Sequence, residues 1–592
     1  MHISRVRLKS FRNFKDAIIN LTEKSLIIGC NEIGKSNLLY ALRILLDRNL
    51  SEANIEPQDS DFYVYEDTNE IEIVIEFEGA SEDCVLSRLR QHISDDGTTC
   101  VVYQACRDPN TKRKSYRFLV GRDPQNLTEV DSRFYLRVLN LKFMGSKRDL
   151  FAFIRRERGR LIEDAKRGRQ EEEIERDNTI LRQVEARLGE VEEDVAALSY
   201  IGKATESLNR ELALLSFQNV AQNVIFDTGA SDPSRFVDNL RLAAQVGEKT
   251  LAVGGDGRNN QIQLALWTAR NRGAASSDED PLEVNIFCIE EPEAHLHPHQ
   301  QRKLATYLAE SLKAQVIITT HSPQIVCAFP PASIVRLYNN APDTLAAGNG
   351  SNPFIERTFI DFGHRLSILP AEAFFSSVVL LVEGRSEELF YRALAQQIGV
   401  DLDRLNVSIL MVDGIGFEPY VSLLHSLGID YVIRTDNDVF RVPRQQIHRF
   451  AGIQRGIAIY RLYYEEDDEF EQLLERADML SGFSSRHPPK ENLEYACRIV
   501  QKLEEFDIYI ADVDLEHDLH NALGQVTAAF FGLSQDDEII REMQKRKATF
   551  MFSFLHQHSD SLCRLGAHSL AKPLLRCQEI AQAQYGCPET YG

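Results

Sequence analysis

The sequence lacks the features of a membrane or secreted protein. None of its apolar runs approaches the roughly 20 residues that a membrane-spanning helix needs. The N-terminal segment MHISRVRLKSFRNF alternates apolar with basic or polar residues and has no apolar signal-peptide core. The ten cysteines are scattered without a Cys-x-x-Cys pair, which disfavours both a disulfide framework and a zinc module. We therefore expect a cytoplasmic protein with reduced thiols and no membrane partner.

An excess of positive charge is also missing. The formal net charge is −22, which taken alone disfavours a nucleic-acid partner. The local charge differs from the net charge, because the segment from Lys147 to Arg169 contains nine basic and four acidic residues. Shorter basic stretches lie at 441–455 and 541–547. Each stretch is either the solvated face of a helix or a contact surface for DNA, and the sequence leaves both readings open.

The 592 residues are too many for one hydrophobic core, so we expect two or three domains. A first domain is predicted at 1–345, with a helical insertion at about 148–222 where apolar residues recur every three or four positions. Residues 339–353 are rich in Gly, Pro and Asn, and we predict a linker at 346–370. Beyond it, strand-like runs alternate with helical stretches, which predicts an α/β domain at 371–592.

A phosphate-binding loop is the clearest motif of the first domain. In SLIIGCNEIGKSNLLYAL (25–42) the pattern Gly-x-x-x-x-Gly-Lys-Ser follows an apolar strand and precedes a helix. Such a loop turns backbone amides toward phosphates, while its lysine contacts the terminal phosphates and its serine offers a hydroxyl to Mg²⁺. The predicted ATP-binding residues of the loop are Asn31, Gly34, Lys35, Ser36 and Asn37.

Three later segments complete a nucleotide site. IFCIEEPEAHLHP (286–298) supplies Glu290 for the metal and Glu291 for the attacking water, and His321 follows another strand, where it could sense the γ-phosphate. This order resembles ABC/SMC-like ATPases, whose sites are completed across a dimer by a glycine-rich loop. The candidate loop, VGGDGRNNQIQLAL (253–266), contains Gly255 and Gly257 and departs from the usual Ser-Gly-Gly-Gln pattern. Nucleotide binding is therefore a safer expectation than fast hydrolysis.

Carboxylates follow two apolar strands of the second domain. VVLLVEGRSEELF (378–390) supplies Glu383 and Glu387, and YVIRTDNDVF (431–440) supplies Asp436 and Asp438. The alternative reading of the second segment is a strand that leads into an acidic turn. If the strands are adjacent and parallel, the four carboxylates meet at one sheet edge, where they would repel one another without cations. Two divalent ions would neutralise them and could clamp a phosphodiester.

Two downstream segments extend this acidic site. IYIADVDLEHDLHNAL (508–523) supplies Asp514 and Glu516, and the sequence leaves open which of the two binds metal. MQKRKATFMF (543–552) supplies Lys547, which is either a solvated lysine or a group that stabilises transition-state charge.

The Glu-Gly and Asp-x-Asp motifs resemble those of the Toprim fold. An SMC-like ATPase followed by Toprim resembles the overcoming-lysogenization-defect (OLD) nuclease family. The segments FRNF, IGKSNLLYALR, GGDGR, IEEPE, DGIGFEPYVSLLHSLGIDYVIRTDND and DVDLEHDL are similar to the nuclease subunit of the Gabija antiphage system. The fold class expected is thus α/β, with an ABC/SMC-like P-loop ATPase domain, a helical dimerisation insertion and a C-terminal Toprim domain.

The resemblance implies a bacterial antiphage DNA endonuclease that is regulated by ATP with Mg²⁺. It implies a two-metal Mg²⁺ or Mn²⁺ site formed by Glu383, Glu387, Asp436, Asp438 and an acid of the Asp514/Glu516 pair, with Lys547 assisting. The implied partners are double-stranded DNA, further copies of the chain as a dimer or tetramer through the ATPase half, and a superfamily 1 helicase-like subunit. Retron-associated relatives imply instead a reverse transcriptase with its DNA–RNA product. The alternative function is a non-cutting, SMC-like DNA-clamping ATPase with a relic Toprim domain.

Overall fold

The structure is a computed structural model. It describes residues 1–145, 165–215, 243–246, 249–252, 283–311, 314–340, 342–350, 371–412, 416–441, 447–484 and 487–584, with isolated positions at 159, 162–163 and 262. The chain forms two compact units: 1–146 with 279–293 and 297–592, and 147–278 with 294–296. None of the helices in the described ranges has the length and apolarity required to cross a membrane.

The strands are short and mostly buried on at least one face. They are β1 His2–Phe11, β2 Phe14–Asn20, β3 Lys24–Ile28, β4 Glu70–Glu78, β5 Thr99–Arg107, β6 Lys114–Gly121, β7 Leu127–Val130, β8 Leu139–Met144, β9 Ala243–Val246, β10 Lys249–Ala252, β11 Val284–Glu290, β12 Val316–Thr319, β13 Ile334–Asn340, β14 Asp343–Ala346, β15 Val378–Val382, β16 Val407–Met411, β17 Asp430–Thr435, β18 Val439–Arg441, β19 His448–Phe450, β20 Ser481–Phe483 and β21 Ile508–Ile510.

The described part of the chain contains sixteen α-helices. They are α1 Lys35–Leu46, α2 Glu52–Ile55, α3 Asp83–Leu89, α4 Glu171–Ala196, α5 Ser199–Leu215, α6 Pro298–Ser311, α7 Pro323–Val326, α8 Arg385–Ile398, α9 Glu418–Ser426, α10 Ala451–Tyr463, α11 Asp468–Leu474, α12 Lys490–Glu504, α13 Leu515–Phe531, α14 Asp536–Lys545, α15 Lys547–His558 and α16 Lys572–Gln584.

Two six-stranded sheets enclose the N-terminal core. The first is antiparallel, in the order β2-β1-β4-β5-β6-β7, and β4 alternates buried apolar with more exposed acidic residues as its sequence predicts. The second has the order β14-β13-β3-β12-β11-β8 and is parallel except for β14. Its central strand β3 leads directly to the phosphate-binding loop. Burial of α1 between the two sheets therefore fixes the position of that loop.

A parallel four-stranded sheet forms the centre of the C-terminal part, in the order β16-β15-β17-β21. β15 is an unbroken apolar strand that is fully buried, which is typical of a parallel sheet with helices on both faces. The second core packs α8, α13, α15 and α16 against it. The strands β15 and β17 are direct neighbours, so the residues that follow them lie side by side at the carboxyl edge.

The mainly helical second unit is described only in part. Helices α4 and α5 and the antiparallel pair β9–β10 belong to it. The apolar residues that predict a helix within 148–222 fall in α4. The glycine-rich loop with Gly255 and Gly257 lies outside the described residues, as do most of the predicted linker positions. The domain limits at 1–345, 346–370 and 371–592 stay predictions.

Candidate functional site

The phosphate-binding loop is held in shape by its glycines and by Lys35. Gly34 has φ +100°, and a Cβ there would lie 2.3 Å from the Asn13 side-chain nitrogen, so only glycine fits. The Lys35 ammonium donates to the Gly29 and Cys30 carbonyls at 2.8 and 2.6 Å. Burial lowers the pKa of Lys35 to about 8, although Cys30 and nearby glutamates oppose the shift. Asn31 and Ser36 are exposed on this loop.

The predicted metal and water ligands of the nucleotide site come together beside the loop. Ser36 Oγ donates to Glu290 Oε1 at 2.6 Å, which joins the loop serine to the acid at the end of β11. His321 Nε2 lies 3.6 Å from Glu291 Oε1. Burial, reinforced by the Lys35 charge, lowers the pKa of His321 to about 4, so the imidazole is neutral near pH 7. A neutral imidazole can accept or donate a hydrogen bond at a phosphate without adding charge.

Sequence reasoning missed several groups that support this nucleotide site. Glu293 Oε1 accepts from Thr320 Oγ1 and the His321 backbone N–H, both at 2.7 Å, and so fixes the turn that carries His321. Asn37 donates to Asn13 Oδ1 at 2.6 Å and accepts from Arg12 at 2.8 Å. The FRNF segment, which contains Arg12 and Asn13, was the available signal for this contact.

The carboxylates at the ends of β15 and β17 meet. Glu383 Oε1 accepts from the Asp436 backbone N–H at 2.9 Å and from Thr435 Oγ1 at 2.6 Å. Glu387 lies in the first turn of α8, where its Oε2 accepts from the Gly384 N–H at 3.1 Å and from Ser386 Oγ at 3.0 Å. In each glutamate one oxygen is anchored, and the other accepts no hydrogen bond from the described residues.

Asp436 and Asp438 differ in environment although they are two positions apart. Asp436 is buried, and its Oδ1 accepts from the Leu515 N–H at the start of α13, at 3.2 Å. Burial raises the pKa of Asp436 to about 8, with Lys547 opposing the shift and Glu387 and Glu383 adding to it. Asp438 is exposed, and its charge interacts with Lys547, Asp514 and Glu383. The Asp-x-Asp segment thus presents one buried and one solvent-facing carboxylate.

The two acids at the start of α13 also differ. Asp514 is the N-cap of the helix, and its Oδ1 accepts from the His517 backbone N–H at 2.9 Å and lies 2.6 Å from His517 Nδ1. Its Oδ2 accepts from Gln544 Nε2 at 2.6 Å. Burial acts to raise the pKa of Asp514, but the His517 hydrogen bonds outweigh it and lower the pKa to about 2. Both oxygens of Asp514 are therefore engaged.

Glu516, unlike Asp514, is poorly supplied with hydrogen-bond donors among the described residues. Its side chain is fully buried, and Oε1 is an orphaned acceptor with no hydrogen-bond partner in the described chain. Burial raises the pKa of Glu516 to about 7, while Lys547, at 2.8 Å from Oε2, opposes the shift. A buried carboxylate oxygen without a donor costs free energy unless a cation or donor reaches it. Of the pair, Glu516 is thus the acid that keeps an oxygen without a hydrogen-bond partner among the described residues.

Lys547 lies among the acids at the first position of α15. Its ammonium is 2.8 Å from Glu516 Oε2, 3.4 Å from Asp436 Oδ2 and 3.9 Å from Asp514 Oδ2. Burial acts to lower the pKa of Lys547, but Glu516 and Asp436 outweigh it and raise the pKa. The lysine stays charged and offsets much of the repulsion in the cluster.

The donor set fits a hard divalent cation in its chemistry. All of the candidate ligands are carboxylates, which Mg²⁺ and Mn²⁺ prefer. A cation would also satisfy the Glu516 oxygen that lacks a hydrogen-bond partner among the described residues. However, no group of three or more His, Cys, Asp or Glu within the described ranges is spaced to hold an ion as it stands. The ammonium of Lys547 separates Asp436 from Glu516, so metal binding requires side-chain movement.

Two further basic groups lie at this site, and the sequence links neither of them to the carboxylates. Arg455 Nη2 is 2.7 Å from Glu383 Oε1 and donates to the Asp436 carbonyl at 3.1 Å. Arg434 is buried on β17 and pairs with Asp518 of α13. An arginine inside the apolar run YVIRT was the one available hint, since a buried charge needs a partner.

Family models match both halves of the chain. A model described as an AAA ATPase domain matches residues 1–151 and 125–326, and one described as an overcoming lysogenization defect protein-like TOPRIM domain matches 374–438. The α/β class, the P-loop ATPase domain and the C-terminal Toprim domain expected from the sequence are confirmed. Glu383, Glu387, Asp436 and Asp438 all lie within the second match.

Curated relatives cover nearly the whole chain. Endonuclease GajA of Bacillus cereus (strain VD045) is 24% identical over 95% of this chain and 96% of its own length. OLD nuclease of Thermus scotoductus is 25% identical over 75% of this chain and 83% of its own length. An SmcHead structure covers 58% of this chain and 97% of its own at 16% identity, with a TM-score of 0.34, which is too low to carry an argument.

Proposed function

Because the chain belongs to the overcoming-lysogenization-defect family, with an AAA ATPase domain and an OLD-like Toprim domain, we propose that it is a metal-dependent DNA endonuclease of antiphage defence. The observation that carries the proposal is the hydrogen bond from the Asp436 N–H to the Glu383 carboxylate. It joins acids from two strands beside Lys547, at the carboxyl edge where open α/β sheets bind ligands.

The residues that would hold two Mg²⁺ or Mn²⁺ ions are Glu383, Glu387, Asp436, Asp438 and Glu516. Bound there, the ions would supply charge stabilisation for both the attacking and the leaving oxygen of a phosphodiester displacement. Lys547 keeps its proton and stabilises negative charge on the phosphate. Asp514 holds the start of α13 in place and so orients Glu516. Neighbouring side chains hold the acids in position: His517 and Gln544 contact Asp514, and Arg455 contacts Glu383.

The P-loop half is proposed to bind ATP with Mg²⁺ and to regulate the nuclease. Support comes from the Ser36–Glu290 hydrogen bond, the Lys35 ammonium and the neutral His321 in one place. Nucleotide either drives DNA loading or restrains cleavage until nucleotide pools fall. The proposed partners are double-stranded DNA, further copies of the chain as a dimer or tetramer through the ATPase half, and a helicase-like subunit or a reverse transcriptase with its DNA–RNA product.

The test is incubation of purified protein with supercoiled plasmid, with Mn²⁺ or with EDTA, over a series of ATP concentrations. We expect nicked or linear product with Mn²⁺ only. Glu383→Ala and Asp436→Ala should abolish cleavage and leave ATP binding unchanged, because neither residue touches the P-loop. Glu388→Ala is the matched control, since Glu388 is on the same helix turn as Glu387 but pairs with Arg385 and Arg392.

The outcomes separate the alternatives. Full cleavage by purified Glu383→Ala or Asp436→Ala protein would refute the assignment of this site. Plasmid that is bound but intact under every metal condition would favour the DNA-clamping ATPase instead. If the protein cuts plasmid, inhibition of cleavage by rising ATP concentrations indicates that nucleotide restrains the nuclease. Stimulation of cleavage indicates that nucleotide drives DNA loading.

A further inference from the structure

Helix α10 is fastened to the Asp-x-Asp segment at several points. The Ala451 N–H donates to the Asp438 carbonyl at 3.0 Å, and the Ile453 N–H donates to Asn437 Oδ1 at 3.4 Å. Gly452 permits this approach, because a Cβ there would lie 2.3 Å from the Asp436 carbonyl oxygen. One turn further along, Arg455 reaches the acidic site.

Arg455 joins the ends of two different strands. Its Nη2 is 2.7 Å from Glu383 Oε1, after β15, and donates at 3.1 Å to the carbonyl of Asp436, after β17. The same Glu383 oxygen also accepts from Thr435 Oγ1 and the Asp436 N–H. Two hydrogen-bond donors and the Arg455 guanidinium therefore converge on Oε1, whereas Oε2 accepts no hydrogen bond from the described chain and is left for another ligand.

From this asymmetry we propose that Arg455 is a positioning residue, which holds Glu383 Oε1 so that Oε2 is presented to a divalent cation. The inference rests on the proposed nuclease function. An arginine bonded to one oxygen of a carboxylate orients the other oxygen and does not replace the metal. Its positive charge also offsets part of the repulsion between Glu383 and Asp436. Groups that orient metal ligands typically change metal affinity 10–100-fold when removed.

The alternative is that Arg455 opposes metal binding at Glu383. Arg455 carries positive charge, and its removal makes the site more negative, which by itself attracts cations. If Arg455 competed with metal for Glu383, loss of the arginine would tighten metal binding. The sign of the change in affinity thus decides between positioning and competition.

The experiment measures Mn²⁺ binding to full-length protein by isothermal titration calorimetry, together with nicking rates at limiting and saturating Mn²⁺. Arg455→Gln should weaken Mn²⁺ binding about 10–100-fold and raise the Mn²⁺ concentration for half-maximal nicking by a similar factor. The nicking rate of Arg455→Gln at saturating Mn²⁺ should fall by a much smaller factor than its Mn²⁺ affinity. Arg455→Lys should recover part of the affinity, because it keeps the charge but cannot bond to both groups in the same geometry.

Arg461→Gln is the matched control, since Arg461 lies on the same helix at the surface, 3.9 Å from Glu471, and its loss should leave both measurements unchanged. Unchanged or tighter Mn²⁺ binding in a folded Arg455→Gln protein would overturn the proposal. So would an equal loss of rate at all Mn²⁺ concentrations with normal binding, which would indicate contact with substrate. If the unsubstituted protein neither binds Mn²⁺ at this site nor cuts DNA, the proposed function itself fails.

Discussion

At the residue scale, the informative contrast is between Asp514 and Glu516. The sequence offers two acids two positions apart and cannot rank them. Their surroundings differ, because both oxygens of Asp514 accept hydrogen bonds, from His517 and Gln544, whereas Oε1 of Glu516 has no donor within the described part of the chain. A carboxylate already saturated with donors gains little from a metal, whereas an orphaned one gains most.

We therefore expect Glu516→Gln to lower Mn²⁺ affinity at least tenfold and Asp514→Asn to change it much less. Asparagine caps helices about as well as aspartate, so Asp514→Asn should also retain most of the stability of the helix start. Calorimetric Mn²⁺ titration and thermal denaturation of the two variants check both statements. Equal losses of Mn²⁺ affinity would show that the hydrogen bonds of Asp514 do not keep it from the metal.

Sequence reasoning reached the carboxylates but not their neighbours. Glu383 and Asp436 were predicted to meet because residues that follow adjacent parallel strands share one edge, and the 2.9 Å contact agrees with that rule. The sequence places Arg455 only in the basic stretch 441–455 and does not single out Gln544, because the contacts of both residues depend on how α10 and α14 pack. Periodicity shows that a helix has a buried face, but it does not show which side chain reaches which carboxylate.

At the element scale, we expect α10 to set the position of the Asp-x-Asp segment. The helix begins against the Asp436 and Asp438 backbone, and this contact has no room for a side chain at Gly452. The sequence predicted the strand and the acids, but the packing of a helix start onto a backbone carbonyl leaves no signal in one sequence.

Gly452→Ala should move the helix start and reduce nicking about 100-fold, because displacements near 1 Å at a catalytic site cost that much. ATP binding should not change. Gly524→Ala is the control, since a Cβ at Gly524 in α13 meets its nearest atom at 3.9 Å. Nicking rates and ATP affinity of both variants provide the check. A Gly452→Ala protein with normal nicking would show that α10 does not position the acids.

At the scale of the whole molecule, the nucleotide half and the Toprim half share a buried contact. Arg336 of β13, next to the P-loop strand β3, donates to the carbonyls of Leu427, Gly428 and Ser376 at 3.0, 2.7 and 3.2 Å. These carbonyls lie just before β17 and β15, whose far ends carry Asp436 and Glu383. Arg336 thus links β13, the neighbour of the P-loop strand, to the segments that enter β17 and β15.

At the scale of the whole molecule, the sequence predicts only part of the architecture. Both catalytic halves were identified because each motif follows a strand in the order that its fold requires. The Gly, Pro and Asn content of residues 339–353 predicts a connection between domains, yet Asp343–Ala346 forms β14, which pairs with β13. Turn-forming residues do not reveal whether a neighbouring sheet edge will take up the chain.

The central claim is that acids from separate strands bind shared divalent cations beside Lys547. The most direct measurement is anomalous X-ray diffraction from crystals of the full-length protein soaked in Mn²⁺. We predict manganese peaks bound by Glu383 and Asp436, with Glu516 turned toward the metal, and no such peaks in Glu383→Ala crystals. Manganese found only next to Ser36 of the P-loop and Glu290 of β11, with the Toprim acids unchanged, would contradict this prediction.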